Sequence, residues 1–274
     1  MLAVDNRRLI ASAALGLPTL AVLALLVAVV VAVALDSAVG AVVAPSLVSP
    51  LLVLVLAAGR RVVAEWALTV SEADDGLHVR GGLLQTRTET IPTGRIQGIR
   101  LTRPLLWRPW RWYRLEVDVA RQRSGRRGNE ADNAAVVRAL LPVGTSAEAE
   151  VLLSRVFPGA VVWPPPDTSP PRRARLVAPL SWWALRAWHD GRYVAGRTGR
   201  LTWRTVIVPM TKIQSVRWRQ GPLRRALRLA GVYVDTAGRR WRVAARCRDA
   251  TEADRLLLDL PRLARAAQEP TTPS

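Results

Sequence analysis

The sequence predicts an α+β fold: an α-helical transmembrane hairpin followed by two small β-barrel modules, each closed by a C-terminal helix. Three observations predict it. Two uncharged apolar runs open the chain, a gapless internal repeat at an offset of 117 residues fills the remainder, and each copy ends in a helical pattern with a capping signal.

The first apolar run, residues 9–35, is 27 residues without a charge, and the second, residues 38–58, is 21. A helix needs about 20 apolar residues to cross ~30 Å of hydrocarbon. Backbone groups in hydrocarbon must bond within their own segment, so two such runs separated by Asp36 and Ser37 read as a helical hairpin. Gly40, Pro45, Ser46, Ser49 and Pro50 interrupt the second run, and each proline removes a backbone donor and kinks the helix. Arg7 and Arg8 flank one end and Arg60 and Arg61 the other, whereas the turn carries only Asp36. The positive-inside rule then places both termini in the cytoplasm of a multi-pass protein of the cell membrane. The competing reading of the first run is a cleaved signal peptide, and Asn6-Arg7-Arg8-Leu9-Ile10 resembles a twin-arginine signal. The run is far longer than the roughly 7–15 residues of a signal core, however, and a second run follows at once. Neither run holds an ionisable residue within its span, which argues against a pore.

The repeat is clearest where Ile91-Pro92-Thr93-Gly94-Arg95-Ile96-Gln97-Gly98-Ile99-Arg100 matches Val208-Pro209-Met210-Thr211-Lys212-Ile213-Gln214-Ser215-Val216-Arg217. The same offset aligns Gly82 with Gly199, Leu84 with Leu201, Arg87-Thr88 with Arg204-Thr205, Val117-Asp118 with Val234-Asp235, and Ala120 with Ala237. Leu115, Val117 and Val119 alternate with Arg114, Glu116 and Asp118, the period of a half-buried strand with the charged set outward. Val232, Val234 and Thr236 repeat the pattern, with Tyr233 and Asp235 outward. Helices follow over about 146–157 and 250–266, opened by Thr145-x-x-Glu148 and Asp249-x-x-Glu252. Pro164-Pro165-Pro166 and Pro170-Pro171 form a stiff, extended linker, and residues 121–133, rich in Gly, Arg and acids, read as a mobile loop. The expected organisation is a hairpin over 1–61, a first module over 62–163, the linker over 164–171, a second module over 172–266 and a disordered tail over 267–274.

Ile91-Pro92-x-x-Arg95-Ile96-Gln97, and above all Ile213-Gln214-Ser215-Val216-Arg217 running into Gln220-Gly221-Pro222-Leu223-Arg224-Arg225-Ala226-Leu227, resemble the bacterial pleckstrin-homology (PH) membrane proteins of the YdbS and YdbT type. The resemblance covers both copies and the hairpin. It implies PH-like modules, each a β-barrel capped by a helix, in tandem beside transmembrane helices. It also implies a role in envelope maintenance or resistance to antimicrobial peptides. The first copy departs from the pattern where Gln-Gly-Pro-Leu becomes Arg103-Pro104-Leu105-Leu106.

Composition excludes several classes of function. A formal charge of +19 and a pI near 11.7 point to a polyanionic neighbour, either nucleic acid or an anionic membrane face. Lys212 is the lone lysine, so the arginine excess reflects a compositional bias as much as a binding surface. A single cysteine, Cys247, leaves no internal disulfide and no cysteine metal cluster, and His78 and His189 are too few for a histidine metal site or triad. No paired carboxylates, no activated nucleophile and no phosphate loop stand out, and Gly81-Gly82 and Gly196-Arg197-Thr198-Gly199 read as turns. The expectation is a protein that is not an enzyme and carries neither cofactor nor metal.

The charge is uneven. Residues 172–266 hold 22 basic and 6 acidic residues, against 16 and 11 over 60–163. Arg217, Arg219, Arg224, Arg225 and Arg228 follow one another closely in the second copy. In the corresponding stretch of the first, Trp107, Arg108, Trp110, Arg111 and Trp112 interleave indoles with cations. Tryptophan and arginine together suit a headgroup layer, because indole prefers the interface and arginine pairs with phosphate. These ten residues are therefore the candidate contacts to anionic inner-leaflet lipids or to an unidentified membrane protein partner. A bland solvated surface competes with that reading, and nucleic acid is the weakest partner, giving as alternative a membrane-tethered nucleic-acid-binding protein. The first hairpin loops offer only Arg80 and Arg87, or Arg197, Arg200 and Arg204, which is little for specific inositide recognition. Trp182, Trp183 and Trp188 read as packing residues.

Overall fold

The structure, a computed structural model, describes residues 2–35, 37–73, 76–119, 138–237 and 241–269. The expected turn at Asp36, the loop 121–133 and the end of the tail beyond 269 lie outside the described residues.

The chain opens with β1 (Leu2–Ala3), α1 (Asn6–Ala14), α2 (Leu17–Leu35) and α3 (Ser37–Glu65). The first module follows as β2 (Thr69–Ala73), β3 (Gly76–Gly81), β4 (Arg87–Ile91), β5 (Ile96–Pro104), β6 (Tyr113–Val119), β7 (Arg138–Gly144) and α4 (Ser146–Val156). The second comprises β8 (Arg186–His189), β9 (Tyr193–Thr198), β10 (Thr202–Pro209), β11 (Ile213–Arg219), α5 (Pro222–Ala226), β12 (Leu229–Thr236), β13 (Val243–Asp249) and α6 (Ala250–Gln268). The repeat is thus a repeat of structure: β4 corresponds to β10 and β5 to β11, each with the same 3-10 turn between them. Both capping signals operate. Thr145 and Glu148 form a reciprocal capping box on α4, and the Asp249 side chain accepts from the Thr251 amide at the start of α6.

The strands form three sheets, ordered β1-β2-β3-β4, β7-β6-β5-β10-β9-β8 and β11-β12-β13. This corrects the expected architecture of two separate barrels. The two modules share the six-stranded sheet, because the first strand of one half-module, β5, pairs antiparallel with the last strand of the other, β10. Ile99 lies opposite Ile207 and Leu101 opposite Thr205, and the two isoleucines are fully buried. Directly opposite apolar side chains are the pairs that stabilise a sheet, and pairing also removes two strand edges that would otherwise stay open. One hydrophobic cluster accordingly runs across the junction, from Leu9, Trp107 and Leu152 to Trp188, Tyr193 and Ile207.

The expected transmembrane hairpin is also corrected. Among the described residues no helix is long and apolar enough to cross a membrane, which overturns the multi-pass placement in the cell membrane with both termini cytoplasmic. The physical reason begins in the first run, which is not one helix. It breaks after Ala14 at Leu15 and Gly16, and its beginning belongs to α1, which folds onto the first module. Leu9 and Ser12 are buried there, Arg8 pairs with Glu148 of α4 at 3.2 Å, and the Val4 amide donates to the Leu68 carbonyl. The second run continues without interruption into Arg60, Arg61 and Glu65 of the same helix, whose end is tied to β6. Helices α2 and α3 pack on each other and leave Leu23, Val30 and Val53 exposed.

The strict alternation expected of β6 fails at Glu116 and Asp118, which are 7% and 2% exposed. Both faces of this strand are covered, so the charged set is not solvated. Glu116 instead accepts from Arg114 at 2.8 Å and from Arg100, and Arg114 reaches on to Glu65 at the end of α3 with bonds of 2.5 and 2.8 Å. In β12 the alternation holds, with Val232, Val234 and Thr236 buried and Tyr233 and Asp235 half-buried.

Residues 158–171 do not stand off as a spacer but lie along the second module. The Tyr193 hydroxyl donates to the Pro158 carbonyl, Trp188 Nε1 to Val161 and Trp182 Nε1 to Pro171. Arg248, 2% exposed, donates to the carbonyls of Thr168 and Ala187 at 2.7 and 2.8 Å. A buried guanidinium that satisfies several carbonyls at once acts as a clamp. Of the three tryptophans expected to pack, Trp188 is buried and Trp182 half-buried, whereas Trp183 is exposed.

Candidate functional site

Pairing of β5 with β10 brings residues from both modules into register across one face of the central sheet. Arg186 of β8 lies directly opposite Arg197 of β9, Arg197 opposite Thr205 of β10, and Thr205 opposite Leu101 of β5. In the neighbouring row Trp203 of β10 lies opposite Arg103 of β5. These residues, with Tyr113 and the linker residues Trp163, Pro164, Pro165 and Pro166, line a cleft of about 350 Å³.

Its chemistry is that of aromatic rings surrounded by guanidinium groups. The Trp203 ring carries Arg108 at 4.1 Å, Arg197 at 4.6 Å and Arg103 at 5.5 Å from its centroid, and Trp183 meets its edge at 5.7 Å. Stacking of this kind contributes roughly 0.5–2 kcal/mol per cation, more as the site dries out. Arg103 donates to the Tyr113 hydroxyl at 2.7 Å and to the Arg108 carbonyl, and Arg197 Nε donates to the Ala184 carbonyl. Among the described residues none of Arg103, Arg108, Arg186 and Arg197 has a carboxylate partner. Burial, then the neighbouring Arg186, Arg103 and Arg108 charges, push Arg197 down to about 10.

The residues expected to contact lipid or a partner are divided by the fold. Trp107 is 1% exposed and belongs to the core, and Arg108 spans the module junction, donating to the Arg200 carbonyl at 2.8 Å. Trp112 meets Trp107 edge-on and stacks on Trp110, which is 53% exposed beside the exposed Arg111. In the second module Arg217 is ion-paired with Asp235 at 2.5 Å, and Arg219 sits 5.9 Å from the Tyr233 ring. Arg224 is half-buried on α5, whereas Arg225 and Arg228 are exposed. No described contact joins the two groups. Arg103, Arg186 and Trp203 were not singled out from the sequence, because they come together only through the shared sheet. The usable signal was the repeat itself, which brings two equivalent strand edges onto one chain.

A second cavity, of about 410 Å³, lies between strands of the second module and α6 and is lined by side chains such as Val194, Val232 and Val243 together with Glu252, Arg255 and Asp259. Its charges are mixed. Among the described residues no group of three or more His, Cys, Asp or Glu gathers as a metal site would require.

The family model described as bacterial PH domain matches residues 10–143 and again residues 151–262. The chain belongs to the bacterial PH domain family. It carries two copies in tandem, the first match running from within α1 to within β7 and the second from within α4 to within α6. No curated protein and no solved structure matches the chain. PH domains are generally interaction modules without catalysis, and the Arg-lined cleft lies between the two PH modules rather than in the first hairpin loop of either.

Proposed function

We propose that the chain is a non-catalytic protein-interaction module that associates head to tail with further copies of itself by pairing sheet edges. The observation that carries this reading is the β5–β10 pairing. By the repeat, β11 corresponds to β5 and β4 to β10. Among the described residues β11 pairs only with β12 and β4 only with β3. One chain therefore ends in the same two kinds of edge that already recognise each other inside it. Strand addition supplies affinity through backbone hydrogen bonds and specificity through the opposed side chains.

Transfer of the internal register places Val216 opposite Thr90, Arg217 opposite Glu89 and Trp218 opposite Thr88 of the next copy. The head of the β11 edge is occupied by α6, whose Gln268 donates to the carbonyls of Thr211 and Ile213, so the pairing uses the later part of the strand. Such a contact is heterologous and does not close on itself. The full chain should therefore show a mass in sedimentation velocity that rises with concentration, and Glu89→Arg, which sets arginine opposite Arg217, should return it to the monomer. A wild-type chain that stays monomeric, or self-association that Glu89→Arg leaves unchanged, refutes the reading.

A further inference from the structure

We propose that the cleft on the shared sheet is a binding site for a phosphate monoester, held by Arg186, Arg197 and Arg103 against the indole of Trp203. The proposal starts from an arrangement that is unfavourable without a ligand. Like charges directly opposite each other on neighbouring strands destabilise a sheet, yet Arg186 and Arg197 occupy such a pair, with Arg103 and Arg108 converging on the same indole ring. Among the described residues no carboxylate compensates any of the four.

Their donors are also incompletely used. Arg197 bonds through Nε alone, and Arg186 through Nη1, to the carbonyls of Trp183 and Leu185. Arg103 Nε and Arg108 Nε are buried without a hydrogen-bond partner among the described residues. Guanidinium forks match phosphate oxygens in a bidentate way, so one dianion in the cleft engages the remaining donors of Arg186 and Arg197, which line it, and offsets the mutual repulsion as well. Burial first, and the neighbouring guanidinium charges after it, lower the proton affinity of Arg197.

Shape narrows the ligand class. The cleft, about 350 Å³, falls at the small end of the range usual for small-molecule sites, and Trp163 and Pro164 of the linker form part of its lining. It therefore accepts a phosphate with a short organic group attached rather than a folded macromolecule. The site is a property of the tandem. Arg103 comes from the first PH module and Arg186 and Arg197 from the second, and the sheet that aligns them forms only across the junction. It does not depend on the edge pairing proposed above, whose residues lie on β4 and β11.

Calorimetric titration of the full chain with glycerol 3-phosphate, and with glycerol as the uncharged control, tests the proposal. Inorganic phosphate and vesicles of phosphatidic acid against phosphatidylcholine separate a soluble source from a lipid headgroup. Saturable binding of glycerol 3-phosphate but not glycerol is expected. In Arg186→Gln and in Arg197→Gln, affinity should fall by about tenfold or more each, as for a lost charge-assisted hydrogen bond. The melting temperature of the unliganded variants should hold or rise, because a repelled charge is removed. A merely structural arginine would lower the melting temperature instead. Binding by vesicles alone, lost in both variants, assigns the phosphate to a lipid. No saturable binding in any arm, binding that both variants retain, or a fall in melting temperature in both overturns the proposal.

Discussion

Replacing Arg114 by methionine should destabilise the protein by about 3–5 kcal/mol, the usual consequence of removing one partner from a buried ion pair. Arg114 holds Glu65 through both terminal nitrogens, at 2.5 and 2.8 Å, and Glu116 through Nε at 2.8 Å. Glu65 and Glu116 are 9% and 7% exposed. Burial opposes the Arg114 charge, but the hydrogen bonds and charges of the two glutamates outweigh it and hold its proton more tightly than usual. Without Arg114, Glu65 retains Arg61 at 3.3 Å and Glu116 retains Arg100, both less well buried partners. Urea unfolding at neutral pH measures the loss, and Arg114→Lys, which keeps the charge but not the fork, should fall between wild type and methionine.

The same network sets an acid limb. Burial would raise the Glu116 carboxyl, yet the Arg114 and Arg100 guanidinium groups hold it below the usual carboxylate value. A group depressed in the folded state binds more protons when unfolded. Its contribution is therefore complete above the unfolded value, and it is lost as pH falls from there through the folded one. Stability of the wild type should decline over that acidic range, and Arg114→Met should flatten the decline. Equal slopes in the two proteins would contradict the assignment.

Replacing Trp107 by alanine should cost about 3–5 kcal/mol, the range for deleting a large aromatic from a core. Trp107 is 1% exposed within the cluster that crosses the module junction. Among the described residues its buried Nε1 has no hydrogen-bond partner, so Trp107→Phe gives up no polar interaction seen there and should cost markedly less. Trp110, three residues on and 53% exposed, should behave as a surface residue, with Trp110→Ala changing stability by no more than about 0.5 kcal/mol. Thermal or urea unfolding of the three variants checks this ordering. A Trp107→Ala protein as stable as wild type would return that indole to the surface role its neighbourhood in sequence had suggested.

The pair Trp107 and Trp110 shows where local reading stops. Both stand in one Trp-Arg stretch and look alike in sequence, yet a 3-10 turn over residues 105–107 directs the first inward, and the turn that follows leaves the second outside. Glu116 and Asp118 show the same limit for period-2 patterns. Alternation identifies the strand correctly but assumes one wet face, and here the strand is covered on both. In the apolar run over 9–35, lack of charge is a property of composition, whereas the break at Gly16 follows from burial of Leu9 and Ser12 against a module that begins some 50 residues later in the chain.

By itself the sequence determined the duplication, the PH family, the strand-rich modules, the capped helices α4 and α6 and the uneven charge. All of these are written in spacing, capping pairs and motifs, which act over a few residues or recur at one fixed offset. Only the tertiary structure decided that the copies join through β5 and β10, that Arg103, Arg186 and Arg197 face one cleft, and that the N-terminal segment folds back onto the first module. Edge pairing has no local signature. Two strands about a hundred residues apart meet because each leaves backbone donors and acceptors unpaired, and the charges beside them converge only after that contact is made.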